Sequence, residues 1–184
     1  MKNQSLAFLF FFFAFLFQPV KAQHFFDDHT GHYEGTLLLL YPGRAADSVA
    51  FCLDIAKTAE PGRWQNKLTY RMPAGSQEKN YEQVLDSAFA DNTHYILDEK
   101  DGILIAETLL GNTLYCNYTV EGSFYVVRTT FHTGSIDYEL SCYKSTEKTE
   151  SVSDPDEKGT SWKVDSYPLL TVQKGTLIKQ RPEK

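Results

Sequence analysis

The sequence predicts an all-β fold, an antiparallel meander of about 8 to 10 strands closed as an up-and-down barrel. From Tyr33 to Tyr143 apolar and polar residues alternate with a period of two in short runs, the pattern of half-buried antiparallel strands. Glycine-bearing turn sequences break those runs about every ten residues, as consecutive hairpins require. Helical periodicity is nearly absent. A two-sheet β-sandwich is the alternative, but sandwiches usually need a Greek-key crossing, whereas sequential local hairpins lead to a barrel.

Of the 184 residues, 1 to 22 read as a cleavable secretory signal. Lys2 starts it, an apolar run of 12 residues from Leu6 to Phe17 forms its centre, and Val20 and Ala22 are the small residues before a cut after Ala22. A membrane-spanning helix needs about 20 apolar residues, so this run is too short to anchor the chain. The expected location is secreted or periplasmic, with no integral membrane segment after cleavage. Residues 23 to 32 follow as a flexible mature N-terminus, and a single β domain is expected over 33–180.

Within that domain the strands can be taken in order. Tyr33 to Tyr41, Asp47 to Lys57 and Arg63 to Met72 come first, punctuated by Pro42-Gly43 and Pro61-Gly62. In the third, Trp64, Asn66, Leu68, Tyr70 and Met72 share one face, and Gln65, Lys67, Thr69 and Arg71 the other. Lys79 to Phe89 fits either a strand pair or a short helix. From His94 to Tyr143 the strands are separated by Glu99-Lys100-Asp101-Gly102, Leu110-Gly111-Asn112, Glu121-Gly122 and Thr133-Gly134. Leu114, Cys116, Tyr118 and Val120 alternate outward-inward with their polar neighbours, as do Ile136, Tyr138, Leu140 and Cys142. Residues 144 to 161 are polar and charged, with too few apolar side chains to offset their ordering entropy, and read as a disordered loop. Trp162 to Lys179 regains strand character around a Lys174-Gly175 turn and supplies a closing strand for an otherwise open edge.

Charge narrows the partners. The chain holds 18 basic and 24 acidic residues, and the expected signal removes two of the bases and none of the acids. An acidic chain without a basic block is a poor match for nucleic acid, whose phosphates call for clustered Lys and Arg. The three cysteines, Cys52, Cys116 and Cys142, are too few for a disulfide scaffold, and their odd number leaves at least one unpaired within the chain. Cys116 and Cys142 share the apolar face, but in a meander the strand from Ser123 to His132 lies between them. Two strand spacings are about 9 to 10 Å, beyond the ~7 Å reach of a disulfide. Cys52 alternates with Phe51 and Leu53 and faces the other side.

Motifs for chemistry are sparse. His29 and His32, beside Asp27 and Asp28, come nearest to a metal-ligand set, yet no second histidine cluster accompanies them, and no metal site or cofactor is expected. Asp98 to Gly102 lacks the alternating spacing of a calcium loop and reads as a hairpin turn. No nucleophile elbow or phosphate loop is present in the sequence, and no catalytic residue is nominated. Asn117-Tyr118-Thr119 is a formal glycosylation sequon within a strand.

An export signal, a first strand opening Gly31-His32-Tyr33-Glu34-Gly35-Thr36-Leu37, and eight or more meandering strands together resemble the lipocalin or calycin barrels. Their first strand carries a glycine-x-tryptophan signature, and Tyr33 stands where the tryptophan would. The resemblance spans about residues 31 to 143 plus the C-terminal strand, and implies a cup-shaped interior that takes a small apolar molecule. The strand faces nominate Trp64, Leu68, Tyr70, Met72, Leu114, Tyr118, Val126, Tyr138 and Leu140 as the interior. They either line a ligand cup or fill a core. The leading expectation is an exported barrel binding a small apolar or amphipathic ligand. The alternative is an extracytoplasmic structural or protein-interaction module, for which the Leu37 to Leu40 run, apolar on both faces, is the supporting feature.

Overall fold

The computed structural model describes residues 24–181, so the expected signal at 1–22 lies outside the described residues. In chain order the elements are α1 (Phe25–Asp28), β1 (Gly31–Leu40), β2 (Asp47–Lys57), β3 (Arg63–Met72), β4 (Gly75–Leu85), β5 (His94–Asp98) and β6 (Leu104–Leu110). They continue with β7 (Thr113–Val120), β8 (Ser123–His132), β9 (Ser135–Lys144), β10 (Thr149–Val152), β11 (Lys163–Ser166) and β12 (Leu169–Lys179). Ten of these strands form a closed antiparallel barrel in the order β1-β12-β9-β8-β7-β6-β5-β4-β3-β2. Every neighbour is the next strand in sequence except at β9–β12, where β10 and β11 make an excursion, and at the seam, where β12 returns to β1. The meander is therefore complete and the sandwich alternative is excluded.

The seam depends on two glycines. A Cβ on Gly35 would lie 2.3 Å from the Thr176 carbonyl oxygen, and one on Gly175 would lie 2.2 Å from the Thr36 carbonyl oxygen. Neither backbone could yield, so β1 and β12 approach one another only where both lack side chains. The expected Lys174-Gly175 turn is thus corrected: both residues sit inside one continuous strand.

Because the strands alternate in direction, the barrel has two different ends. At one, α1 leads into β1; there, instead of the mobile terminus expected for residues 23 to 32, the chain inserts Phe26, 1% exposed, as a plug. Phe26 meets Tyr95 and Phe131 edge-on, with ring centroids at 5.0 and 5.6 Å, and lies tilted on Trp64 at 5.5 Å. Polar ties hold the plug: Trp64 Nε1 donates to Asp27 Oδ1 at 3.0 Å, Lys57 Nζ pairs with the same oxygen at 3.1 Å, and the Tyr33 hydroxyl donates to the His29 carbonyl at 2.9 Å. Truncating a phenylalanine so buried costs about 3 to 5 kcal/mol, a large share of the entropy lost in ordering a short segment at about 1 to 2 kcal/mol per residue.

The opposite end is the mouth, formed by the β1–β2, β3–β4, β5–β6 and β7–β8 connections. The ambiguous stretch from Lys79 to Phe89 is neither a strand pair nor a helix: β4 pairs with β3 up to Val84 and ends at Leu85, and a turn closed by the Phe89 N–H on the Asp86 carbonyl follows. The expected disordered loop at 144–161 is also corrected. It contains β10, which pairs with β11 as an exposed two-stranded ribbon at the mouth. Cross-strand ion pairs, Lys163 to Glu150 at 2.7 Å and Lys148 to Asp165 at 2.9 Å, accompany that pairing in place of an apolar core. Of the Leu37 to Leu40 run, Leu37 is buried inside, whereas on the outer face Leu38 is exposed and Leu40 half-buried.

Candidate internal cavity

Above the Phe26 plug the barrel encloses a cavity of about 190 Å³. Its apolar wall comes from inward positions of neighbouring strands: Phe51, Leu53 and Ile55 of β2, Leu68 and Tyr70 of β3, Leu114 of β7, and Tyr138 and Leu140 of β9. Toward the mouth it is bordered by Lys79, Tyr81, Glu99 and Tyr118. Tyr118 stacks on Tyr125, with ring centroids 5.0 Å apart and planes 14° from parallel.

Six of the nine interior residues expected from sequence line this space: Leu68, Tyr70, Leu114, Tyr118, Tyr138 and Leu140. Three do not. Trp64 is buried but belongs to the packed floor with Phe26 and Tyr95. Met72 has the inward parity of β3 but pairs with Gly75 at the hairpin, beyond the wall, and is 43% exposed. Val126 points outward. The buried Phe131 sets the parity of β8, and counting back in twos reaches Thr129 and Val127, both of which line the cavity. Adjacent valines hide that parity unless Phe131 is used as the anchor.

Sequence reasoning did not nominate the cavity's polar feature. Glu107 of β6 lies between Ile105 and Leu109 on the inner face, and a Gln83 side chain with no exposure donates to its carboxylate through Nε2. Asn66 Nδ2 donates in turn to Gln83 Oε1 at 3.4 Å, while Asn66 Oδ1 accepts no hydrogen bond from the protein. Glu107 and the Cys116 thiol both border the cavity. Burial pushes the Glu107 carboxyl up to about 7, and burial likewise raises the Cys116 thiol, with the Glu107 charge adding to it. Inside an apolar cup, therefore, stands one carboxyl able to donate or accept a proton near neutrality, next to one free amide acceptor.

All three cysteines are free and buried. Cys116 pairs across to Val127 and Cys142 to Tyr125, both on β8, so a strand separates them as the meander requires. His29 and His32 are not brought together. His29 packs on Phe25 and Phe131 at the closed end, with ring centroids at 4.5 and 4.9 Å. His32 stands on the outer wall against Glu34 and Asp54, whose hydrogen bonds raise its pKa. Asp98 and Asp101 cap the β5–β6 hairpin by accepting from the Lys100 and Ile103 backbone N–H groups, as a turn would. Among the described residues no helix is long and apolar enough to cross a membrane.

Comparison with solved structures finds the same architecture in the S-type phycobiliprotein lyase CPES from Guillardia theta. The likeness is one of fold. The two superpose with a TM-score of 0.60 over 86% of this chain and 92% of that one, at 10% sequence identity. No protein family matches the sequence, and no curated protein matches it either. A closed antiparallel barrel in that superposition agrees with the up-and-down barrel expected from the run of local hairpins. It leaves function to be argued from the cavity.

Proposed function

We propose that this protein is an exported barrel that binds one small, largely apolar ligand in its interior. The observation that carries the reading is the cavity of about 190 Å³ above the Phe26 plug, with a mainly apolar wall into which Asn66, Glu107, Cys116 and Thr129 intrude and with Lys79 and Glu99 toward the mouth. An apolar cavity of about 150 Å³ takes benzene. The enclosed space therefore suits a body a little larger than one ring, with any longer portion passing Tyr81 and Tyr118 toward the mouth. A hydroxyl or amine on that body would satisfy Asn66 Oδ1 and meet Glu107, whereas a second carboxylate would face repulsion and desolvation there. Delivery outside the cytoplasm is part of the proposal and rests on the residue 1 to 22 pattern alone.

The test is native mass spectrometry of protein from its own host, joined to thermal unfolding with phenol, benzylamine and benzoate. Phenol or benzylamine is expected to raise Tm and benzoate to leave it unchanged, and Leu68→Trp, which fills the cavity, is expected to abolish the rise. A ligand present at about 100 times its Kd stabilises by about 2.7 kcal/mol, well within detection. No bound mass and no shift with any of the three would reject the reading. One observation favours the interaction module as a second reading: Val152, Trp162, Val164, Tyr167, Leu169 and Leu170, on and beside the ribbon, are all exposed.

A further inference from the structure

The outer wall near the closed end holds a second cluster, unrelated to the cavity. β1 and β2 pair with His32 opposite Asp54 and Glu34 opposite Cys52. Residues two apart on a strand share a face, so these four side chains form a rectangle on the outside, while Tyr33 and Leu53 between them point in. The His32 imidazole is bracketed by carboxylates, with Nδ1 at 2.5 Å from Asp54 Oδ1 and Nε2 at 3.0 Å from Glu34 Oε1. The Cys52 thiol, buried at 2% exposure, donates to that same Glu34 oxygen at 3.6 Å.

We propose that His32 Nε2, Glu34 and Cys52 form a zinc-type cation site on the barrel wall, with Asp54 orienting the imidazole through Nδ1–H. The three ligand atoms lie within 4.8 Å of one another. Tetrahedral zinc, with bonds of about 2.0 Å to nitrogen and oxygen and about 2.3 Å to sulfur, requires ligand separations of about 3.3 to 3.5 Å. The 3.0 and 3.6 Å separations bracket that range. One thiolate, one imidazole and one carboxylate select zinc or cobalt over calcium or magnesium, which call for oxygen alone. A carboxylate on the far nitrogen of a ligating histidine is the arrangement that fixes its tautomer.

Proton balance is simple. The cation takes the place of the proton between His32 Nε2 and Glu34 and of the Cys52 thiol proton; both leave to solvent, and water completes the tetrahedron. Arg71, whose guanidinium is 3.0 Å from the same Glu34 oxygen, is exposed and swings away when the cation arrives.

Cobalt titration of the reduced, folded protein tests the site. The expected result is saturable tetrahedral d–d absorption together with a near-ultraviolet thiolate-to-cobalt charge-transfer band, reversed by zinc. Cys52→Ser is expected to remove the charge-transfer band, and His32→Ala to weaken cobalt binding at least tenfold. Asp54→Asn, an orienting change, is expected to weaken it about 10- to 100-fold without removing the band. Cys116→Ser and His29→Ala are expected to leave the titration unchanged, and thermal unfolding verifies that each variant folds. Absence of the band at millimolar cobalt, or its persistence in folded Cys52→Ser, would overturn the proposal.

Discussion

Glu107 is the residue whose environment departs furthest from what its sequence neighbours announce. In Leu104 to Leu110 both parities offer apolar side chains, and nothing local says that the carboxyl takes the inner one. Its burial has a measurable consequence. With its pKa raised from the usual 4.5 to about 7, the folded chain holds a proton that the unfolded chain releases. The stability it contributes is complete below about pH 4.5 and is lost as pH rises through about 7, on the order of 3 kcal/mol in all. Urea unfolding of the protein and of Glu107→Gln across pH 4 to 8 should show that decline in the first and not in the second. Parallel profiles would mean that the carboxyl is hydrated in the folded state. Met72 and Val126 teach the complementary lesson: alternation assigns a face but neither the height at which a strand leaves the wall nor, in a run of adjacent valines, the starting parity.

At the scale of elements, strand positions were legible because each depends on its own alternation and its own turn. The third strand matches residue for residue as Arg63–Met72, and the second as Asp47–Lys57. What sequence could not provide was contact between distant segments. Phe26 is ordered by Trp64, Tyr95 and Phe131, none of them near it in the chain, so the N-terminal segment read as mobile. Gly175 read as a turn because its partner, Thr36 of β1, lies far away in sequence. That contact predicts a large effect from a small change. Gly175→Ala places a methyl group against a backbone oxygen that has nowhere to go, and should lower the unfolding free energy by more than about 2 kcal/mol. Gly159→Ala, in the exposed turn of the ribbon excursion with nothing within 4 Å of its Cβ, serves as the comparison. Its positive φ of 78° confines the cost to backbone strain of about 1 kcal/mol. Equal effects for the two would refute close packing at the seam.

For the whole molecule, the barrel and the ribbon are separable. The Lys144 N–H donates to the Pro168 carbonyl at 3.0 Å, so the chain leaves and rejoins the barrel at a single point. Replacing residues 146–166 with a four-residue glycine-serine link should change barrel stability by no more than about 0.5 to 1 kcal/mol, since the excised strands bury nothing. Phenol-induced stabilisation should survive as well. Its loss would make the ribbon part of the binding site and shift the balance toward the interaction reading. The fold class was readable because a meander is built from local hairpins, whereas the cavity was not. Whether inward side chains meet or leave a gap depends on the summed volumes of ten strands, which no single run encodes.

The seam also orders events in time. β12 pairs with β1 across almost the whole chain, Tyr33 against Lys179 and Leu40 against Val172. Until residues 169 to 179 are available, β1 has a partner on one side only, and the growing sheet carries two bare edges. Contacts of such long sequence separation form late and slowly. A chain threaded N-terminus first through a membrane would thus remain unclosed until its final segment emerged, arriving on the far side before it could become a barrel.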